Sequence, residues 1–476
     1  MDETMMNAAC VPLPLQPPSI PQIRERVREF GIPRVAADSI NISKRLGRIV
    51  MDAFSTIHDP RKEGMRLHRM DDSLFLILTG FLRNAFNYQK IVITVSGKEE
   101  ILQSGAGLSL KYGIPSDDTL WRIMGMADPE ELEKAAGYIY DKAAAALGDL
   151  FGTAGKGLRH IAIDGKAERG SGRKTGAAAD STGNGERNVQ ILNIYDVSAS
   201  RILASRLVSC KTNEVPVAQA WISEQEDLTG TVITADALHA TAKHSELISA
   251  KHGNYLFGLK GNQSGLLERA RRFFTPEKKK ELEGIKGRYF HESEKARGCT
   301  ESRSYYICYL VDPAVSGGVA WANAKSFVCV DKTVTGRDGT VTTETRYYIT
   351  SLTDLNQCAD AVRKHWRIEN GLHWNLDCIL DEDADRTADR TRIMNRSTLK
   401  KLALYLLEVK LAVSGKEVKS KKDVLTANCC DLQDTIRFLA VVLGAAGKES
   451  VTFQKLKTKA DARAELTRKR RNNAGS

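Results

Sequence analysis

The sequence has no apolar run long enough to cross a membrane. A membrane-spanning helix needs about 20 consecutive apolar residues. The 476-residue chain is 42% hydrophobic, but its apolar residues fall in shorter segments. Its first residues also lack the basic segment followed by an apolar one that marks a secretory signal. These absences predict a cytoplasmic protein with no membrane partner.

Cysteine is sparse and shows no pattern. The nine cysteines are an odd number scattered along the chain, and no Cys-x-x-Cys pair occurs. Zinc ribbons and fingers need such pairs, and disulfide frameworks are typical of short secreted chains. The cysteines therefore indicate ordinary thiols in a reducing compartment.

Acidic residues are outnumbered, and the excess of positive charge is unevenly distributed. The chain has 70 Lys and Arg against 59 Asp and Glu, a net charge of +11. Residues 451–476 contain eight basic and two acidic residues. Such a tail can neutralise phosphates without reading sequence, although a solvated tail has the same composition. The charge makes nucleic acid the first partner to consider.

The first 150 residues predict a tail followed by a helical domain. Residues 1–22 contain five prolines, which disfavour a helix, and we interpret them as a Pro-rich tail. From residue 23 to 150, apolar residues recur three and four apart, as in amphipathic helices. Ile91–Val95 is the one strand-like segment in this region.

A turn and a helix near residue 113 could belong to a DNA-reading motif. Residues 113–122 read GIPSDDTLWR, and Ser116 is a natural N-cap for a helix that would present Thr119 and Arg122. The second half of a helix-turn-helix has this form. An ordinary turn within a helical domain is the alternative.

The pattern changes near residue 158 to alternating strands and helices, which predicts a mixed α/β sheet. We expect this domain to span 158–412, with a strand-rich insertion at about 264–352 and a helical, basic tail at 413–476. The expected strands of the central sheet are His160–Asp164, Val189–Val197, Arg201–Val208, Thr231–Asp236 and Asn254–Lys260.

Two aspartates occupy matching places at strand ends. Asp164 follows the first strand and Asp236 the fourth. Catalytic groups in open α/β sheets collect at the carboxyl ends of strands. A helix N-cap is an alternative explanation for Asp236 alone.

The segment HWRIENGLHW at 365–374 has an unusual composition for a surface helix. His365, Glu369 and His373 are four residues apart and would share one helical face. They could form a His-Glu-His metal face, or Glu369 alone could join the two aspartates. An ion-paired surface face is the third interpretation, although the flanking tryptophans argue against it.

Three carboxylates with open positions suit Mg²⁺ or Mn²⁺ better than zinc. Two such ions about 3.5–4 Å apart activate an attacking water or hydroxyl and stabilise the leaving oxygen of a phosphodiester. If Glu369 joins the two aspartates, Asp164, Asp236 and Glu369 would be the catalytic carboxylates and would hold two Mg²⁺ or Mn²⁺ ions.

Several motifs occur together in the order of one family. These are HIAIDGK at 160–166, KTNE at 211–214, TADA at 234–237, LKGNQ at 259–263 and HWRIENGLHW at 365–374. The chain thus resembles the H-repeat-associated transposases of bacterial insertion sequences, from about residue 50 to about 410. Upstream, HDPR at 58–61 and GIPSDDT at 113–119 resemble the N-terminal domain associated with that family.

The resemblance implies a ribonuclease-H-like mixed sheet with a strand-rich insertion, preceded by a mainly helical N-terminal domain. It implies a DDE-type DNA transposase that binds element ends, cleaves them with divalent metal and transfers the strand to target DNA. The acidic triad falls on Asp164, Asp236 and Glu369. Double-stranded DNA is the implied partner, with action as a homo-oligomer on DNA and nucleoid association there.

Seven further residues are expected to contact DNA. They are Lys166, Arg169, Lys260, Asn262, Gln263, Arg367 and His373. A plain turn is the alternative at Asn262, and Glu214 and Arg367 could instead support the triad.

The chain departs from the family pattern in two places. It has GKAERG at 165–170, where the family usually has GKTLRG, and RGCTESR at 297–303, where a His and an Arg are lost. These changes would weaken this copy or alter its specificity. A transposase-derived DNA-binding protein without catalysis is therefore the alternative function.

Overall fold

The computed structural model describes most of the chain between residues 48 and 436. The described ranges are 20–22, 24–25, 48–151, 157–171, 188–208, 213–296, 298–310, 321–414 and 418–436. The basic tail and most of the Pro-rich beginning lie outside the described residues, as do Lys211, Thr212 and Arg297.

The described N-terminal region is helical, as predicted. Its helices are α1 (Arg48–Ser55), α2 (Met70–Leu82), α3 (Tyr88–Val95), α4 (Glu99–Ala106), α5 (Asp117–Met126) and α6 (Pro129–Phe151). Every residue of α2 is buried, so α2 is the central helix of this region. The side chain of Ser116 caps α5 by accepting from the backbone N–H of Thr119, as expected.

The strand-like interpretation of Ile91–Val95 is wrong, because this segment lies in α3. The side chain of Asn87 caps the helix by accepting from the N–H of Lys90 at 2.8 Å. Ile91 and Val95, four residues apart, are both completely buried. Helical periodicity and a good cap therefore outweigh the strand preference of the β-branched residues.

The central sheet has a ribonuclease-H-like arrangement. Its strands are β1 (Arg159–Glu168), β2 (Val189–Asp196), β3 (Arg201–Val208), β4 (Thr231–Ala235) and β5 (Asn254–Leu259), in the order β3-β2-β1-β4-β5. β2 is antiparallel to β1 and β3, whereas β1, β4 and β5 are parallel. Helix α7 (Glu214–Glu224) leads from β3 into β4, and α8 (Ala242–Ala250) connects the parallel strands β4 and β5. The predicted fold class is confirmed.

The strand-rich insertion extends this same sheet. It comprises α9 (Ser264–Phe273), α10 (Pro276–Glu283), β6 (Tyr289–Ala296), β7 (Cys299–Tyr309), β8 (Ser326–Thr335) and β9 (Val341–Thr350). β9 pairs antiparallel with β5, and the order continues β9-β8-β7-β6, which gives nine strands among the described residues. The sequence did not predict β6, since this polar edge strand has no alternating apolar residues.

Beyond the insertion the chain is helical again. The elements are α11 (Leu355–Arg367), a π-helical turn (Ile368–His373), α12 (Trp374–Cys378), α13 (Arg390–Val413) and α14 (Lys421–Cys430). The side-chain amide of Asn395 in α13 donates to the carbonyls of Met124 and Ala127, at 2.9 and 2.8 Å. Helices that come before the sheet in the sequence therefore pack against helices that come after it. Among the described helices, none has the length and apolar character to cross a membrane.

Candidate active site

The register of two parallel strands brings Asp164 and Asp236 side by side. Ile163 of β1 lies opposite Ala235 of β4, and each aspartate is the next residue along its strand. Neighbouring strands are about 4.8 Å apart. Asp164 does not close its strand as expected, because β1 continues to pair with β2 as far as Glu168. Asp164 lies instead within β1, next to the point where the neighbouring strand β4 ends.

Asp236 also caps the short turn that follows it. Its Oδ1 accepts from the backbone N–H of Leu238 at 2.8 Å, so the capping interpretation is confirmed. The cap fixes the position of the carboxylate at the strand end. Capping and metal binding are compatible, since a carboxylate has two oxygens and about four acceptor sites.

Thr234 lies two residues before Asp236, on the same face of β4. Its Oγ1 is 2.7 Å from Nε2 of His160 and 3.0 Å from Nδ1 of His365. Burial lowers the pKa of His365 to about 4, against the opposing effect of Asp236. His365 is therefore a neutral side chain that joins α11 to the sheet.

Glu369 lies in the π-helical turn, which breaks the regular spacing of the predicted helix. His365 contacts Thr234, whereas Nδ1 of His373 lies 3.5 Å from Oδ2 of Asp164. Across the described ranges, no three His, Cys, Asp or Glu side chains are grouped closely enough to hold a metal ion as they stand. The two histidines face different partners, which argues against the His-Glu-His metal face.

The carboxylates nevertheless perturb one another strongly. Burial, together with the negative charges of Glu369, Asp236 and Glu214, raises the pKa of Asp164 to about 7. Burial and Asp236 also raise the pKa of Glu369, although Arg346 and Lys260 oppose this. The site thus concentrates negative charge that is incompletely neutralised by the described side chains.

Hard carboxylate oxygens in a like-charged cluster fit a divalent cation such as Mg²⁺. Asp164, Asp236 and Glu369 are the predicted ligands, and because no such group is preformed among the described residues, a bound ion would have to draw them closer together. The bound charge would offset the repulsion that raises the pKa of Asp164.

Glu214 is a fourth carboxylate at this site. It is the first residue of α7, whose N-cap Asn213 accepts from the N–H of Val215. A Cβ added at Gly165 would lie 1.9 Å from Oε1 of Glu214, so this carboxylate rests directly against the backbone beside Asp164. The glycine after the first aspartate makes room for Glu214, which was expected only to support the triad.

Arg346 also lies near the site, although it is not among the residues predicted from the sequence. It lies on β9, and its guanidinium carbon is 4.2 Å from the ring centroid of Trp366. It also makes two hydrogen bonds to Glu344, at 2.7 and 2.9 Å. Only the pairing of β9 with β5 brings Arg346 near Glu369, and no local sequence signal reports that pairing.

Lys166, which was expected to contact DNA, lies inside the protein. Its side chain is buried, and its ammonium lies 2.6 Å from Asp377 and 2.7 Å from Glu382. The neighbouring carboxylates raise its pKa even though burial opposes this. The expectation of a surface DNA contact is contradicted, because the ammonium is occupied inside the protein.

Asn262 and Gln263 hold the segment after Asp236 in place. The amide of Asn262 donates to the carbonyl of Ala237 at 2.6 Å, and that of Gln263 to the carbonyl of Ala240 at 2.8 Å. These bonds fit the plain-turn alternative. Both amide nitrogens serve the backbone around the site, whereas a DNA contact would need them to face outward.

The remaining predicted DNA contacts are distributed around the site. Lys260 is exposed directly after β5, and Arg367 is exposed at the end of α11. The side chain of Arg169 is 79% exposed and lies 3.7 Å from Asp383. His373 faces Asp164, and burial lowers its pKa to about 3, so its imidazole is neutral.

Two family models and several named proteins match this chain. Residues 155–406 match the family model described as "Transposase DDE domain", and residues 51–138 match the one described as "DDE_Tnp_1-associated". "Putative transposase YncI" of Escherichia coli O157:H7 is 27% identical over 401 residues, which are 81% of this chain and 94% of that protein. "H repeat-associated putative transposase YhhI" of Escherichia coli strain K12 is 25% identical over 405 residues, which are 84% of this chain and 98% of that protein.

A chain from "Cryo-EM structure of piggyBac transposase synaptic complex with hairpin DNA (SNHP)" aligns with a TM-score of 0.35 and 10% identity, over 84% of this chain and 79% of that chain. The resemblance to H-repeat-associated transposases, drawn from the motifs, is confirmed by the family models and the named relatives. The "Transposase DDE domain" model spans more than half of the chain, and the protein therefore belongs to that family.

Proposed function

We propose that the protein is a DNA transposase that binds the ends of its own insertion sequence, cleaves them and transfers the strand to target DNA. The register Ile163–Ala235, which places Asp164 beside Asp236, is the observation that carries this proposal. Membership of the family supports it. The raised pKa of Asp164, caused by burial and by three other carboxylates, also favours a functional site.

Divalent ions held by Asp164, Asp236 and Glu369 would activate the attacking oxygen and stabilise the leaving oxygen. The rest of the site positions these carboxylates. Asp236 is fixed by its cap at Leu238, and Oδ1 of Asp164 accepts from the N–H of Gly165 at 3.0 Å.

Two positively charged side chains near Glu369 favour the binding of a phosphodiester. Lys260 and Arg346 lie close enough to Glu369 to oppose the rise in its pKa. Their charges would attract the DNA backbone to a site that three carboxylates would otherwise repel. Lys260 is exposed, which leaves its ammonium available to a phosphate.

A cleavage assay tests the catalytic proposal. The substrate is DNA carrying the inverted repeats that flank the coding frame, with Mg²⁺ or Mn²⁺ added. Asp164→Asn, Asp236→Asn and Glu369→Gln should abolish cleavage while DNA binding remains. Glu224→Gln, at an exposed carboxylate that ends α7, is the matched control and should cleave normally.

Two further measurements distinguish a transposase from a nuclease and from a DNA-binding protein without catalysis. A joining assay with pre-cleaved ends distinguishes a transposase from a nuclease, since only the former transfers the strand. Isothermal titration with Mn²⁺ distinguishes both from a DNA-binding protein without catalysis. The absence of any Mn²⁺ binding that depends on Asp164 would favour that alternative.

A further inference from the structure

A chain of polar contacts runs from α13 to Asp164. The ammonium of Lys401 lies 2.6 Å from Oδ1 of Asn193. Nδ2 of Asn193 lies 3.1 Å from Nε2 of His373, and Nδ1 of His373 lies 3.5 Å from Oδ2 of Asp164. Asn193 is directly opposite Asp164 in the pairing of β2 with β1, so both side chains are on the same face of the sheet.

Lys401 fixes which way the amide of Asn193 points. The ammonium is a pure donor, so the amide atom that it contacts must be the oxygen. Ser205 supports this orientation, since its hydroxyl accepts from Lys401 at 2.8 Å and donates to Oδ1 of Asn193 at 3.1 Å. Turning the amide over would place an NH₂ group against both donors.

The amide in turn fixes the tautomer of His373. With its oxygen facing Lys401, Asn193 presents its NH₂ group to the imidazole, and an amide nitrogen only donates. Nε2 of His373 must therefore accept, and the single ring proton of the neutral imidazole lies on Nδ1. That N–H faces the carboxylate of Asp164.

The residues at the start of this series of polar contacts are buried. Asn193 is completely buried, and Lys401 and Ser205 are nearly so. Water is therefore unavailable to replace the contacts of the amide, and an incorrect orientation would leave buried donors unsatisfied. The network has one favourable arrangement of its protons.

We propose that Lys401, Asn193 and His373 form a positioning relay that holds the imidazole N–H of His373 toward Asp164 and so orients this carboxylate for metal. This inference rests on the proposed function, because it treats Asp164 as a metal ligand. The relay acts on Oδ2, while the N–H of Gly165 binds Oδ1. The 3.5 Å separation is typical of unliganded sites, in which such contacts are long and shorten in the working complex.

The relay accounts for His373 without a direct DNA contact. Hydrogen bonds beyond the ligands orient metal-binding side chains, and their loss typically costs about 10–100-fold in metal affinity or activity. His373 was predicted to bind DNA, and the relay instead gives it a role as a positioning residue.

The first experiment measures the tautomer in the full-length, metal-free protein. Nitrogen chemical shifts of ¹⁵N-histidine-labelled protein, with the His373 signals assigned from His373→Phe, should show the proton on Nδ1. Asn193→Asp should move a proton onto Nε2, because a carboxylate only accepts. A proton on Nε2 in the unmodified protein would overturn the relay.

Lys400 offers a matched control for Lys401. Both lysines are buried on α13, but Lys400 donates to the carbonyl of Asp381 at 3.1 Å and is outside the relay. Lys401→Met should change the His373 signals, whereas Lys400→Met should leave them unchanged. Equal effects of the two variants would contradict the proposal.

The second experiment titrates Mn²⁺ into the same proteins. His373→Phe and Asn193→Asp should weaken binding about 10–100-fold. His373→Asn should recover much of the affinity, since its amide can donate from the position of Nδ1. Circular dichroism identifies any variant that does not fold, and the tautomer of the unmodified protein still tests the relay in that case.

The two experiments also separate this inference from the proposed function. Mn²⁺ binding through Asp164 together with an Nε2–H tautomer would overturn the relay alone. An Nδ1–H tautomer without Asp164-dependent Mn²⁺ binding would leave the hydrogen-bond chain in place and overturn both the metal role of the relay and the proposed catalysis.

Discussion

The ammonium of Lys166 lies 2.7 Å from the carboxylate of Glu382, inside the protein and two residues beyond Asp164. Asp377 also contacts the ammonium, at 2.6 Å. Although burial alone would raise the pKa of Glu382, the ammonium groups of Lys166, Lys401 and Lys400 lower it. The pair thereby joins the strand that carries Asp164 to the segment that follows the π-helical turn.

Lys166→Met should lower the free energy of unfolding by about 3 kcal/mol. Removing one partner of a buried ion pair leaves the other charge uncompensated, which typically costs about 3–5 kcal/mol. Lys400 and Lys401 still face Glu382, so the lower end of that range applies. Denaturant titration followed by circular dichroism measures the change.

The exposed pair Lys243–Glu246, with its charged atoms 3.1 Å apart, is the control for this measurement. Lys243→Met should change the free energy of unfolding by less than about 1 kcal/mol, since water screens the charges. The double variant Lys166→Met/Glu382→Gln should lose less stability than the two single losses added together. Strict additivity would show that the buried pair is not coupled.

Three glycines should respond differently to alanine substitution. A Cβ at Gly170 would lie 1.9 Å from the backbone carbonyl oxygen of Asp385, so we expect a loss of about 1–3 kcal/mol of stability. At Gly165 the obstacle is the movable carboxylate of Glu214, so cleavage should fall more than stability. Gly261 has no atom within 4 Å of the added Cβ and serves as the control.

Thermal unfolding and the cleavage assay together check the order of these three variants. Because Gly165→Ala is expected to act by displacing Glu214, Gly165→Ala/Glu214→Ala should cleave no more slowly than the slower single variant. An additive loss of cleavage would mean that the glycine matters for another reason.

Much of the fold is predictable from local sequence. Val189–Asp196 and Arg201–Val208 are apolar, β-branched runs, and the structure has strands there. Strand propensity gave the wrong prediction at Ile91–Val95, where an Asn cap and two buried residues four apart stabilise a helix. Strand propensity also failed to predict Tyr289–Ala296. This polar edge strand is stabilised by its pairing with β7, which its composition does not indicate.

The candidate site is less accessible to sequence reasoning than the fold. The order of the motifs, through the family resemblance, predicts Asp164, Asp236 and Glu369 as the triad, but how these residues lie relative to one another depends on strand register and on a π-helical turn. Sequence charge suggested a DNA contact for Lys166, whereas burial gives it an ion pair. Arg346 was missed because only long-range strand pairing brings it to the site.

Acid should destabilise the protein in part through His244. Burial and the nearby His239 lower the pKa of His244 from 6.5 to about 3. Below pH 6.5 the unfolded chain therefore binds a proton that the folded protein does not, so stability falls as the pH drops toward 3. One such histidine contributes a slope of about 1.4 kcal/mol per pH unit.

His244→Asn should flatten the dependence of the free energy of unfolding on pH between 6 and 4. The amide of Asn occupies the position of Nδ1 and can keep a hydrogen bond to Thr241, whose hydroxyl lies 2.8 Å from Nδ1 of His244. Denaturant titrations at several pH values measure the two slopes. Parallel slopes for the unmodified protein and the variant would show that His244 does not titrate as expected.

The salt dependence of DNA binding should distinguish Lys260 from Lys166. Each phosphate neutralised by a lysine releases counterions, which contributes about 0.9 to the slope of log affinity against log salt concentration. Lys260→Ala should reduce that slope by about one, because its exposed ammonium can reach the backbone of DNA. Lys166→Met should leave the slope unchanged in the folded fraction, since the ammonium of Lys166 is bound to Glu382 and Asp377. Fluorescence anisotropy with DNA at increasing salt measures both slopes, and a smaller slope for Lys166→Met would show that the buried pair opens to admit DNA.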